Sequence, residues 1–191
     1  MAKSQFWLSD TPEIPGSISW GGTFPRLVTW VKLKSNSSGH IFYVFNTHFC
    51  HMSAMAREKS AALLLQKILE IAGEAPVILT GDFNMGQDAR EYELLTSNWD
   101  RFYSLMDAET IARKHINKDT PTFNGFSNNP SSIKIDYILV NSYFSVSKYE
   151  VHLVKDNGVF ISDHNPVSAK MTFLFERKPR PGHVYDAPWE T

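Results

Sequence analysis

One amphipathic helix flanked by strand-length apolar runs limits what this chain can build. Ser53 is placed to cap the first turn, and Gly73 stands where such a helix ends. Between them Ala61, Leu64, Ile68 and Ile71 share one face, while Glu58, Lys59, Gln66 and Lys67 lie mostly off it. Before the helix, "RLVTWVKL" and "HIFYVFNTHF" read as β-strands, and "KSNSSG" between them reads as a hairpin connection. After it comes the short apolar run "PVILT". Shorter helical stretches are predicted around "AREYELLTS" and "DAETIARKHI", and further strands at "SIKIDYILV" and "VSAKMTFLF". Helices and strands in this order must bury their apolar sides against one another, which predicts an α/β layered fold.

A chain of 191 residues with 42% hydrophobic content is long enough for one domain with a sizeable core. The expected domain runs over 1–176. The tail 177–191, rich in proline and charge, reads as an extension leaving that core. A formal net charge of −1 gives no long-range pull toward nucleic acid or an anionic membrane. The single cysteine, Cys50, excludes an intrachain disulfide. The start "MAKSQFWLSD" has neither the charge pattern nor the apolar run of a signal peptide, and a cytoplasmic protein without membrane insertion is expected.

Four polar signals sit where structure alone does not call for them. "PVILTGDFN" ends a buried strand on Asp82 and, two residues on, Asn84; an Asx turn accounts for the aspartate equally well. In "SIKIDYILV", alternation sets Ile133, Ile135, Tyr137 and Leu139 on one face and Lys134, Asp136, Ile138 and Val140 on the other. Asp136 therefore either faces water from an edge strand or requires a partner, because a buried unpaired carboxylate is strongly destabilising. "FISDHNPV" presents Ser162, Asp163 and His164 before Pro166, as a turn or as a site. "FNTHFCH" closes a strand on Asn46, Thr47 and His48, with His51 three residues later.

Each signal lies at or near a predicted strand end, where loops carry function on a rigid scaffold. Carboxylate plus amide oxygen is a hard-cation set that suits magnesium better than zinc. Histidine beside carboxylate suits a positioned imidazole that meets a phosphate or protonates a leaving group. No serine or cysteine nucleophile stands in a matching position. The combination fits metal-assisted hydrolysis of a phosphate ester.

In order, "NTHFCH", "ILTGDFN", "IDYILV" and "SDHNPV" resemble the endonuclease/exonuclease/phosphatase family, which includes deoxyribonuclease-like nucleases, deadenylases and inositol-phosphate phosphatases. The opening "FWLSDTPEIPGSISWGG" followed by "PRLVTWVKL" resembles one branch of it, and the resemblance extends to about Phe175. It implies an αββα two-sheet sandwich of the deoxyribonuclease-like type. It also implies a magnesium-dependent phosphoesterase, with manganese as an alternative ion and with nucleic acid left open as a substrate. By the same resemblance Asp82 matches the aspartate that orients or deprotonates the attacking water, and Asn84 the asparagine that steadies the phosphate. His48 and His164 match phosphate-contacting histidines, and Asp136 the carboxylate paired with the second of them. Asp163 matches a metal-side carboxylate, with Asp82 as a further metal ligand. Arg26, Asn46 and, more weakly, Arg57 are the substrate-binding expectations.

Family members carry an asparagine strand and a metal-binding glutamate upstream of the segment that "FWLSDTPE" resembles, and Glu13 does not match that ligand. The resemblance thus implies a domain incomplete at its N-terminus. Two outcomes are open: an enzyme whose missing part is supplied elsewhere, or a non-catalytic remnant that at most binds phosphate-bearing ligands. An incomplete sheet also predicts self-association through an exposed edge.

Overall fold

A computed structural model of the chain describes residues 2–97, 104–128 and 133–174. Strands β1 (Lys3–Trp7), β2 (Leu27–Lys34) and β3 (Ile41–His48) form an antiparallel meander. Helix α1 (Ala54–Ala72) then crosses to β4 (Val77–Asp82), which lies parallel to β3. After α2 (Arg90–Thr96) the chain forms β5 (Met106–Asp107), α3 (Ala108–Ile111) and β6 (His115–Ile116). β7 (Asp136–Val140) inserts antiparallel between β4 and β5, completing a six-stranded sheet of order β1-β2-β3-β4-β7-β5. β8 (Phe144–Val151) pairs with both β11 (Val167–Phe173) and β6 in a second sheet of order β11-β8-β6. Between them β9 (Lys155–Asp156) and β10 (Val159–Phe160) make a small hairpin.

Local chemistry explains these elements. The Ser53 hydroxyl accepts from the Ala56 amide at the N-terminus of α1, and Gly73 takes a left-handed φ of 54° at its C-terminus. Alternation along the central strands sorts side chains into two cores. Phe45, Val77, Leu79, Tyr137 and Leu139 face α1 and α2, where Leu64, Leu65, Ile68 and Leu95 meet them. Ile138 and Val140, with Ile78, face the second sheet, where Val146, Tyr149, Val151 and Met171 close the gap. Each fully buried side chain of this size contributes about 1.5–3 kcal/mol. β7 reads apolar on both faces because both of its faces are covered, and this is why Asp136 looked misplaced among its neighbours.

The α/β two-sheet sandwich of the expected class is present. Among the described residues its helical cover lies on one side only: α1 and α2 pack on the six-stranded sheet, and the short α3 contacts β7 and β8. The strand predicted at "SIKIDYILV" begins only at Asp136, and "DAETIARKHI" divides into a four-residue helix and a two-residue strand. Strands β1 and β8 were not anticipated. The extension 177–191 lies outside the described residues. No helix among the described residues is long and apolar enough to cross a membrane.

Candidate active site

Strand register makes the site. His48 is the parallel register partner of Asp82, and Asp82 is the antiparallel partner of Asp136. Three neighbouring strands thereby set an imidazole and two carboxylates in one row at the strand ends. Gly81 permits this close approach, because a Cβ there would sit 2.2 Å from the Thr47 carbonyl oxygen. Beyond the row Phe83 turns into the first core, edge-on to Phe49 and Tyr137, while Asp82 and Asn84 remain in the cleft. The segment "GDFN" is thus anchored by its phenylalanine, with Asp82 and Asn84 left out of the core.

The strand-end loops are braced to each other. The Phe49 amide donates to the Asp82 carbonyl at 2.9 Å, and the Phe83 amide to the Ile135 carbonyl at 2.8 Å. Asn84 takes a left-handed φ of 51°, donates its amide to Asp82 Oδ1 at 2.9 Å and donates Nδ2 to the Phe49 carbonyl at 3.1 Å. One Asn84 amide hydrogen is thus committed to holding the loop after β3.

His164 arrives from the other sheet's connection. Its Nδ1 donates to Asp136 Oδ2 at 2.8 Å, and its Nε2 lies 3.8 Å from Asp82 Oδ2. Because a carboxylate only accepts, Nδ1 carries a proton and the ring is fixed between the two acids. His48 Nε2 approaches the same Asp82 oxygen at 3.1 Å. Burial pushes the Asp82 carboxyl up, with the Asp136 charge adding to it against the Asn84 amide and His48. Burial likewise pushes His48 down, outweighing the attraction of Asp82, and the charges of Arg26 and His164 add to the fall. Burial opposes charge on His164 as well, but the hydrogen bond and charge of Asp136, aided by Asp82 and Asp163, raise it above its ordinary 6.5. Near neutral pH the site therefore holds a largely neutral imidazole at His48 and a cation-prone one at His164.

Asp82, Asp136 and His164 each offer a ligand atom within 4.8 Å of the others, close enough together to hold a metal ion between them. Two oxygen donors this close across a strand pair are of the type that suits a hard divalent cation. Asp163 stands outside that group. Its carbonyl accepts from the Asn124 and Gly125 amides, while Asn124 Nδ2 reaches the Ser162 carbonyl and Asn165 Oδ1. Thr122 Oγ1 accepts from both the Ile135 and Asp136 amides. These buried residues position His164 and Asp136 but went unread in the sequence, where "TFNG" and "HNP" signal only turns.

The remaining site residues divide. Arg26 Nη2 donates to His51 Nδ1 at 3.3 Å, and its buried Nε has no hydrogen-bond partner among the described residues. Asn46, two residues before His48 on the same face of β3, accepts from the Thr80 hydroxyl at 2.8 Å. Arg57 is committed elsewhere: its Nε donates to Glu91 at 2.6 Å and its Nη1 to the Cys50 carbonyl at 3.1 Å, which pins the loop after β3.

A two-sheet sandwich that gathers acids and imidazoles at the ends of its central strands defines a recognisable class. The family model of the Endonuclease/Exonuclease/phosphatase family matches residues 3–164, and the chain belongs to that family. An endonuclease/exonuclease/phosphatase from Bacteroides vulgatus is similar with a TM-score of 0.83 and 33% identity, over 91% of this chain and 66% of its own. A mannosyl-6-phosphatase from Bacteroides thetaiotaomicron gives 0.79 and 32%, over 90% of this chain and 66% of its own. A protein of Acanthamoeba polyphaga mimivirus is 27% identical over 168 residues, 84% of this chain and 61% of that protein. The chain thus spans 61% to 66% of the length of these relatives.

Proposed function

We propose that this chain carries the catalytic row of a magnesium-dependent phosphoesterase acting on a small phosphate ester. The observation that carries the reading is the convergence of Asp82, Asp136 and His164 within 4.8 Å, with His48 on the same Asp82 oxygen. Asp82 is the acceptor for the attacking water's proton. Asp136 holds His164 so that its Nε2 side meets the phosphate, and cationic His164 stabilises charge developing there. His48 and Asn84 supply neutral donors to the phosphate oxygens, and Arg26 a permanent charge. Asp82 and Asp136 are the residues that would hold the metal, with Asp163 as a further carboxylate beside His164. When bound, magnesium neutralises phosphate charge.

Likeness to the mannosyl-6-phosphatase supports a sugar phosphate as the substrate class. The net charge of −1 supports a small ester over a long polynucleotide, whose binding grows with each phosphate neutralised. Among the described residues β1 pairs with β2 alone, and that open edge supports self-association.

The test is release of inorganic phosphate from a panel of sugar phosphates with magnesium and with a chelator. Turnover is expected with magnesium only. Asp82→Asn and His164→Ala are each expected to lower it by about 10²–10⁴ while leaving the melting temperature nearly unchanged. Activity within a few-fold of the parent in either variant would refute these roles. Phosphate binding without turnover would favour the binding-only alternative.

A further inference from the structure

The connection from Leu8 to Arg26 contains no helix or strand, yet it is built rather than loose. Ser9 Oγ meets Ser17 Oγ at 2.6 Å, the Asp10 amide donates to Ser19 Oγ, and Trp20 Nε1 donates to Asp10 Oδ1 at 2.7 Å. Ser53, the cap of α1, donates its hydroxyl to the Trp20 carbonyl at 2.9 Å, so the connection is tied to the helix that follows His51. Trp20 and Gly21 both take left-handed backbone, with φ of 58° and 75°. Long irregular segments with internal bonding and a strained bulky residue are concentrated at binding sites.

This segment delivers Phe24 and Arg26 beside His51. The Phe24 and His51 rings stack with centroids 6.1 Å apart and planes at 23°, yet Phe24 remains 57% exposed. Because a guanidinium only donates, Arg26 Nη2 fixes His51 Nδ1 as an acceptor, which places the proton of the neutral ring on Nε2. An apolar ring face and an oriented N–H donor thus stand side by side. Arg26 directly precedes Leu27, whose carbonyl accepts from the hydroxyl of Thr47, the neighbour of His48, so the pair borders the catalytic row.

We propose that Phe24, Arg26 and His51 form a subsite for the sugar ring of a monosaccharide phosphate whose phosphoryl group lies on the row of His48, Asp82, Asp136 and His164. This rests on the phosphoesterase reading. Phe24 covers the C–H face of the pyranose, His51 Nε2 donates to a ring hydroxyl, and Arg26 links the subsite to the phosphate. A nucleobase also offers a stacking face and edge acceptors, so the choice of a sugar rests on the likeness to the mannosyl-6-phosphatase.

Calorimetric titration of the full chain in magnesium buffer, with inorganic phosphate, mannose 6-phosphate and AMP, separates these cases. The parent is expected to bind mannose 6-phosphate about tenfold or more tightly than phosphate. Phe24→Ala and His51→Ala are each expected to erase that advantage while keeping the affinity for phosphate, and His51→Gln, which retains an N–H donor, to restore part of it. Equal affinity for phosphate and mannose 6-phosphate, or an advantage surviving both alanine variants, would overturn the subsite and leave the phosphoesterase reading standing. An AMP affinity above that of mannose 6-phosphate, lost in Phe24→Ala, would assign the platform to a base and overturn the sugar. Failure of the parent to bind any of the three would overturn both readings.

Discussion

At the scale of single residues, the protein separates two histidines that begin with the same chemistry. His164 gains an acid on each side and is pushed above 6.5; His48, through partial desolvation and the charges of Arg26 and His164, falls below its ordinary value. In metal-free protein, NMR titration of the imidazole protons is expected to show His164 releasing its proton at higher pH than His48. Asp136→Asn should bring His164 down. The sign for stability follows: a histidine whose folded pKa is raised stabilises the fold fully below the unfolded value of about 6.5, and that contribution is lost as pH rises through the folded pKa. A His164 that titrates below His48 would contradict the geometry. Asp136 itself was legible in part. Its need of a partner follows from carboxylate burial, but the partner stands 28 residues away in the chain, and only the fold brings it to 2.8 Å.

At the scale of elements, the row depends on how closely β3 and β4 approach and on what supports β7. Gly81→Ala forces a methyl group against the Thr47 carbonyl, where no flexible side chain can yield, and overpacking of this kind costs about 1–3 kcal/mol or more. Chemical denaturation should show that loss, and phosphate affinity should fall with it because Asp82 must shift. A second expectation has the opposite sign. The Tyr149 hydroxyl is fully buried without a hydrogen-bond partner among the described residues, and its pKa is pushed up by burial and by the charges of Glu109, Asp107 and Asp136. An unsatisfied buried hydroxyl carries a penalty of about 1–3 kcal/mol, so Tyr149→Phe should be neutral to stabilising in the same denaturation experiment. A clear destabilisation would show that the hydroxyl has a partner. Long elements with caps, such as α1, were readable because Ser53, Gly73 and the apolar spacing agree. β1 carries Lys3, Ser4 and Gln5 on an edge and gives little apolar signal, while β5 and β6 are two-residue strands that exist only through pairing.

At the scale of the whole molecule, the two cores meet through the central strands, so a ligand at their ends couples to the stability of both. Magnesium at about 100 times its dissociation constant should stabilise the fold by roughly 2.7 kcal/mol, read as a rise in melting temperature that a chelator reverses. The rise should vanish when Asp82 and Asp136 are both changed to Asn. Persistence of the shift in that double variant would place the ion elsewhere. The sequence by itself determined the layered class, the helix and its caps, the strand ends that bear Asp82, Asn84, Asp136 and His164, and the family, because periodicity, capping and motif order are local properties of the chain. Tertiary structure alone decided that His48, Asp82 and Asp136 form one row, that Arg57 braces a loop, and that Phe24 and Arg26 reach His51. Strand register and long-range hydrogen bonds join residues with no sequence relation to one another, and packing energy, not local propensity, selects among the pairings.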